Sequence, residues 1–134
     1  TTEIYTLSLH DALPISVFID AGAFLPHIPQ GSYPADVLSI EIYREGAVRG
    51  IGLGALAFEN VDEKTGARTF PKLELYRLAI NRRTYTNSHM EYVAETIVNV
   101  YRRRDSIRYG LEITYEPPVK GLKHFLAHLK PKNL

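Results

Sequence analysis

The sequence predicts an α+β fold, with helices on one side of a mostly antiparallel sheet. Three observations carry that expectation. Two stretches repeat apolar residues at spacings of three and four, around Val37–Ile42 and Met90–Tyr101. Others alternate with the period of two that a half-buried strand requires. A polar segment holding Lys64-Thr-Gly66 separates two of these, as a hairpin connection does. The resulting order is β-α-β-β-α-β-β, without internal repeats or low-complexity segments.

The first strand is Val17–Ile19, closed by Asp20, Ala21 and Gly22. Leu25-Pro-His-Ile-Pro-Gln-Gly31 is interrupted by two prolines and a glycine and predicts an irregular connection. Ser32 offers an N-cap, Pro34 suits the first helical turn, and Val37, Leu38, Glu41 and Ile42 mark one helical face. Gly46 supplies the stop. Val48–Phe58 then reads as a strand with Gly50, Gly52 and Gly54 on one face and Ile51, Leu53 and Ala55 on the other. The glycine face leaves room for close approach by backbone or ligand. Its spacing does not match a dinucleotide-binding loop, and no helix follows it.

After the polar loop 59–72, Leu73–Ile80 reads as a central strand. Leu73, Leu75 and Arg77 share one face, and Tyr76, Leu78 and Ile80 the other. Ser88 and Glu91 form a capping box for a helix on Met90, Val93, Ala94, Ile97, Val98 and Tyr101, and Arg102-Arg-Arg104 complements the dipole of its last turn. Leu111–Tyr115 alternates as a strand up to Pro117-Pro118, and Leu122–Leu129 alternates as the last strand.

A chain of 134 residues fits one domain, and 45% hydrophobic with 23% charged residues is ordinary for a globular protein. The absence of cysteine excludes disulfides, thiolate chemistry and cysteine-type zinc sites. No apolar run approaches the roughly 18 residues that span a bilayer, and the expected location is the cytoplasm. Net charge is +1, which does not suit a nucleic-acid binder as a whole. From Tyr101 onward, however, eight Lys/Arg face three acids, interleaved with Tyr109 and Tyr115. A small basic nucleic-acid-binding module is therefore the competing reading from a different class.

Arg77 is the most informative residue. A guanidinium on a largely apolar strand needs an anion, and its planar fork suits a carboxylate held by two bonds. The partner is either an internal acid, Glu74, Glu112 or Glu116, or the carboxylate of a ligand. His124 stands on an apolar alternation, where a histidine is commonly structural. With His128 it would lie about 13 Å away along one strand, too far to share a metal. His27 and His89 are weak candidates alone, and no metal site is expected.

Six segments, in order and close to their usual spacing, resemble the aromatic amino-acid β-eliminating lyases, the tryptophanase and tyrosine phenol-lyase family. They are Val17-Phe-Ile-Asp-Ala-Gly22, Leu25-Pro-His-Ile-Pro29, Arg77-Leu-Ala-Ile-Asn-Arg-Arg-Thr-Tyr-Thr86, His89-Met90, Thr114-Tyr-Glu-Pro117 and Leu122-Lys-His-Phe125. The resemblance implies the small C-terminal domain of a fold-type-I, aspartate-aminotransferase-like enzyme that uses pyridoxal 5'-phosphate and a monovalent cation such as potassium. It implies β-elimination of an aromatic amino acid, foremost L-tryptophan to indole, pyruvate and ammonia, in a homotetramer. Arg77 would bind the substrate carboxylate and His124 would assist catalysis on the ring side, beside Ile51, Leu53 and Phe125. His124 and the apolar Leu53 point to tryptophanase over tyrosine phenol-lyase, which has phenylalanine and arginine there. Gly52 replaces a usual acid and Asn81 a usual proline. The Schiff-base lysine falls outside this chain, so the fragment alone is expected to be inactive.

Residues 1–16 resemble the conceptual translation of a sequencing adapter. The expectation is that they are non-native and that the domain is 17–134.

Overall fold

The computed structural model describes residues 14–81 and 83–134. Along the chain run β1 (Pro14–Asp20), α1 (Ala21–Phe24), α2 (Pro34–Gly46), β2 (Ile51–Leu53) and α3 (Ala55–Phe58). The two-residue strands β3 (Asn60–Val61) and β4 (Arg68–Thr69) follow, then β5 (Leu75–Asn81) and α4 (Asn87–Arg102). β6 (Tyr109–Tyr115), α5 (Lys123–Leu126) and β7 (His128–Asn133) complete the chain. With the shortest elements set aside, the order is the predicted one.

The pairing is antiparallel throughout, but it does not build one sheet. Among the described residues, β5 lies between β1 and β2, β3 pairs only with β4, and β6 pairs only with β7. β5 is central because both its faces can be covered. Tyr76 and Leu78 point inward and are buried, and Leu75 and Arg77 point outward and are half-buried. Inside, they meet α2, whose Val37, Leu38 and Ile42 are fully enclosed, and the core continues through Leu25, Val100 and Leu111. The burial of these side chains is the main force holding the layers together.

Four local expectations are corrected. Val48–Phe58 is not one strand: it stops at Leu53, and Gly54 turns the chain into α3. Gly46 does not supply the left-handed stop of α2, which falls to Ala47 at φ 54°. Gly46 is needed elsewhere, because a Cβ there would lie 2.7 Å from Thr96 Cγ2 on α4. The helix cap before α4 is Thr86, not Ser88, with His89 Nδ1 accepting from the Thr86 amide at 3.0 Å. Finally, Leu122–Leu129 is not a strand. Lys123–Leu126 is a helical turn, and β7 runs on to Asn133 with Pro131 opposite Leu111. Proline survives there because β7 is an edge strand, whose outward amides need no partner.

β1 begins at Pro14, so three residues of the segment read as foreign pair with β5: Pro14 with Asn81, Ile15 with Ile80 and Ser16 with Ala79. Backbone pairing at a sheet edge makes little demand on sequence. Residues 1–13 lie outside the described residues. No described helix is long and apolar enough to cross a membrane.

Candidate functional site

The antiparallel register sets the site. Phe18 on β1 and Ile51 on β2 both stand opposite Arg77, and Leu53 stands opposite Leu75. Cross-strand partners share a face, so Phe18, Ile51, Leu53, Leu75 and Arg77 form one apolar patch around a single cation. Phe18 is 52% exposed, and the others are half-buried. Arg77 Nε donates to Ser16 Oγ at 3.1 Å. Among the described residues the guanidinium forms no ion pair. The internal acids considered as its partners are engaged elsewhere: Glu112 pairs with Lys130 at 2.8 Å and Glu116 with Lys123 at 3.4 Å. Glu74 points to the other face.

Beneath β2 the three glycines each make room for a side chain. A Cβ on Gly50 would strike the Tyr76 ring, one on Gly52 would lie 2.6 Å from Asp36 Oδ1, and one on Gly54 would strike the Glu74 carboxylate. The close approach expected of this face is therefore made by protein side chains. Glu74 is buried at 3% exposure and accepts from the Ala55 amide at 2.6 Å and from Gln30 Nε2 at 3.3 Å. It thus sits at the amino end of α3, where the Ala55 amide meets the anion. Burial nevertheless raises its pKa above the ordinary value. Asp36 is pushed up to about 7, by burial first and by Glu74 second. Asp36 Oδ2 and Glu74 Oε2 lack hydrogen-bond partners among the described residues.

His124 and Phe125 lie on α5, which packs against α3, the turn that follows Ile51 and Leu53. Their rings meet edge to face at 5.0 Å, with Phe125 70% exposed. Both His124 ring nitrogens are shielded and unbonded among the described residues. Burial lowers its pKa, so the ring is neutral at pH 7. His128 instead opens β7, with its ring 5.0 Å from Tyr115. No described cluster of three or more His, Asp or Glu could hold a metal.

Sequence reasoning overlooked Glu59 and treated Glu74 only as a partner for Arg77. Glu74 had a legible signal: it shares the inward face with Tyr76 and Leu78, where an acid must find donors. Among the described residues, four of the eight basic side chains from Tyr101 onward are in ion pairs. Arg103 pairs with Glu41 at 2.7 Å and Glu45 at 3.1 Å, Lys120 with Glu63 at 2.5 Å, and Lys123 and Lys130 as above. That reduces the support for a nucleic-acid surface.

No model of a known protein family matches the chain. Individual curated proteins do. It is 47% identical to a probable tryptophanase of Aeropyrum pernix, 49% to a tyrosine phenol-lyase of Pasteurella multocida and 44% to a tryptophanase of Salinibacter ruber. Each match covers 87% of this chain. The chain spans about a quarter of the length of these relatives, between 24% and 25%.

Proposed function

Because the chain belongs to the family of tryptophanases and tyrosine phenol-lyases, we propose that residues 17–134 are the small C-terminal domain of a fold-type-I lyase. The longer protein would β-eliminate an aromatic amino acid, foremost L-tryptophan to indole, pyruvate and ammonia. Residues 1–16 are proposed to be foreign to it. A cytoplasmic homotetramer activated by a monovalent cation such as potassium completes the reading.

The observation that carries it is the Arg77 guanidinium on the apolar outer face, which forms no ion pair among the described residues, while Asp20, opposite Leu75, accepts instead from the Ala23 amide at 2.9 Å. Arg77 would grip the substrate α-carboxylate through two parallel bonds and so fix the orientation of the Cα–H bond. Ile51, Leu53 and Phe125 would wall the ring and exclude water. His124, neutral and with both nitrogens free, would hold or pass a proton on the ring side.

Pyridoxal phosphate, when bound, supplies an electron sink for breaking the Cα–H bond. The lysines described here do not suit its attachment. Lys120, Lys123 and Lys130 are in ion pairs, and Lys64, Lys72 and Lys132 are exposed. The cofactor is therefore assigned to the part of the protein beyond this chain, and the fragment alone is expected to be inactive.

The test is Arg77→Lys in the full-length protein. Losing one charge-assisted bond costs about 1.5–3 kcal/mol, so KM for tryptophan should rise about 10- to 100-fold. An unchanged KM would refute the carboxylate role. Tyrosine phenol-lyase activity is the second reading, favoured by the relative from Pasteurella multocida. Turnover of tyrosine over tryptophan by the same protein would establish it.

A further inference from the structure

We propose that Glu59 is a positioning residue for the His124–Phe125 turn, acting through Lys123. This inference rests on the reading of that turn as the ring side of the substrate site, and it extends that reading to a residue outside the site.

The geometry is that of a hub. Glu59 closes α3 as its C-cap residue, and its side chain is only 3% exposed. One carboxylate oxygen, Oε2, accepts from Arg68 Nε at 3.0 Å, tying α3 to β4. The other, Oε1, accepts from the Tyr33 hydroxyl at 3.2 Å, tying it to the cap of α2. The same oxygen pairs with Lys123 Nζ, whose side chain is 11% exposed. Burial alone would raise the Glu59 pKa, but its bonds from Lys123 and Arg68 outweigh that and hold it below the ordinary range.

Lys123 is the first residue of α5 and the immediate neighbour of His124. A four-residue helix has little intrinsic stability, because too few hydrogen bonds repay the ordering of its backbone. Its exposed partners Phe125 and Leu126 add little burial, at 70% and 51% exposure. The enclosed Lys123–Glu59 pair is therefore the strongest described tether of this turn to the rest of the fold. Removing one partner takes the nearest counter-charge from an enclosed group, which costs more than losing a surface pair, although Lys123 keeps Glu116 at 3.4 Å and Glu59 keeps Arg68. The orientation of the His124 ring follows from that tether.

The experiment follows the His124 imidazole through a pH titration by NMR in the 134-residue chain, with His27 and His89 as internal references. In the unsubstituted chain, the His124 midpoint should lie below the ordinary histidine value of about 6.5. In Glu59→Gln it should move up toward that value, against the downward pull that losing a nearby anion exerts by itself. Lys123→Met leaves the Arg68 and Tyr33 bonds to Glu59 intact, but losing a neighbouring cation raises an imidazole midpoint by itself, so this variant is read by the nuclear Overhauser contacts between His124 and α3: they should be lost, and their persistence would overturn the proposal if Glu59→Gln fails to fold. A His124 midpoint unmoved in folded Glu59→Gln would overturn the proposal. The substrate reading is judged separately, by His124→Phe in the full-length protein: unchanged turnover of tryptophan there would refute the role of His124 and leave the tether standing.

Discussion

Replacing Tyr76 by phenylalanine should make the protein more stable, although Tyr76 is among the most enclosed side chains. It is 0% exposed, and its hydroxyl has no hydrogen-bond partner among the described residues. The ring presses on Gly50, where a Cβ would lie 2.5 Å from a ring carbon. Burial pushes the phenol up to about 12, which reflects the cost of charging it there. A buried hydroxyl without a partner costs about 1–3 kcal/mol. Removing it empties roughly 10 Å³, a penalty of about 0.2 kcal/mol at the usual cavity coefficient. The ring and its packing stay. The net gain should be about 1–2 kcal/mol, read as an increase of about 0.5–1 M in the urea midpoint or about 4 °C in Tm. Tyr76→Leu, which loses the ring, should lower both. A loss of more than about 0.5 kcal/mol in Tyr76→Phe would mean that the hydroxyl is satisfied, and the description of the space beneath β2 would be wrong.

Three further outcomes are expected. Gly52→Ala should lose about 1–3 kcal/mol in urea unfolding, since the added Cβ would lie 2.6 Å from Asp36 Oδ1 and 3.1 Å from the Asp36 amide. Glu41→Ala should lose about 2–3 kcal/mol in the same assay, because Tyr109 at 2.6 Å, Arg103 at 2.7 Å and Arg44 at 3.0 Å all lose their acceptor. Stability should also depend on pH from both sides. Asp36, raised to about 7, favours the folded state when protonated, so its contribution is full at low pH and lost as pH climbs through about 7; Glu74, also raised by burial, acts in the same sense. Glu41 and Glu59 are lowered and act in the opposite sense, with their contribution lost as pH falls below the ordinary carboxylate range. Urea midpoints from pH 4 to 8 should therefore peak in between, and Asp36→Asn should flatten the decline on the alkaline side.

Much of the architecture was legible because it rests on periodicity. The helix at Asn87–Arg102 and the central strand at Leu75–Asn81 announce themselves through local spacing alone. The two-faced reading of β5 also held, since Tyr76 and Leu78 are buried while Arg77 is not. Part of what failed depended on partners distant in sequence. Leu122–Leu129 alternates well enough for a strand, yet Lys123 opens a helical turn and pairs with Glu59, over sixty residues earlier. Gly50, Gly52 and Gly54 signalled a close approach, but the approaching groups came from α2 and β5. The cap at Thr86 was hidden because histidine filled a place where glutamate or glutamine is usual. Of the candidate site, Arg77, Ile51 and Leu53 come together in register, whereas His124 and Phe125 stand on a helical turn packed against α3 and not on a strand.

The alternation of Tyr76 and Arg77 on β5 has a consequence for how faithfully the chain folds. Slipping the β5 pairing by one residue would exchange the two faces. It would drive the guanidinium into the layer now filled by Tyr76, against Val37 and Leu38, and expel the phenol into solvent. Desolvating an unpaired cation is so costly that such a misfold could not compete with the native register. The residue proposed to recognise substrate thus also guards the strand against misalignment. Replacing Arg77 by an apolar side chain would then do more than weaken binding, because a shifted β5 would no longer carry that penalty.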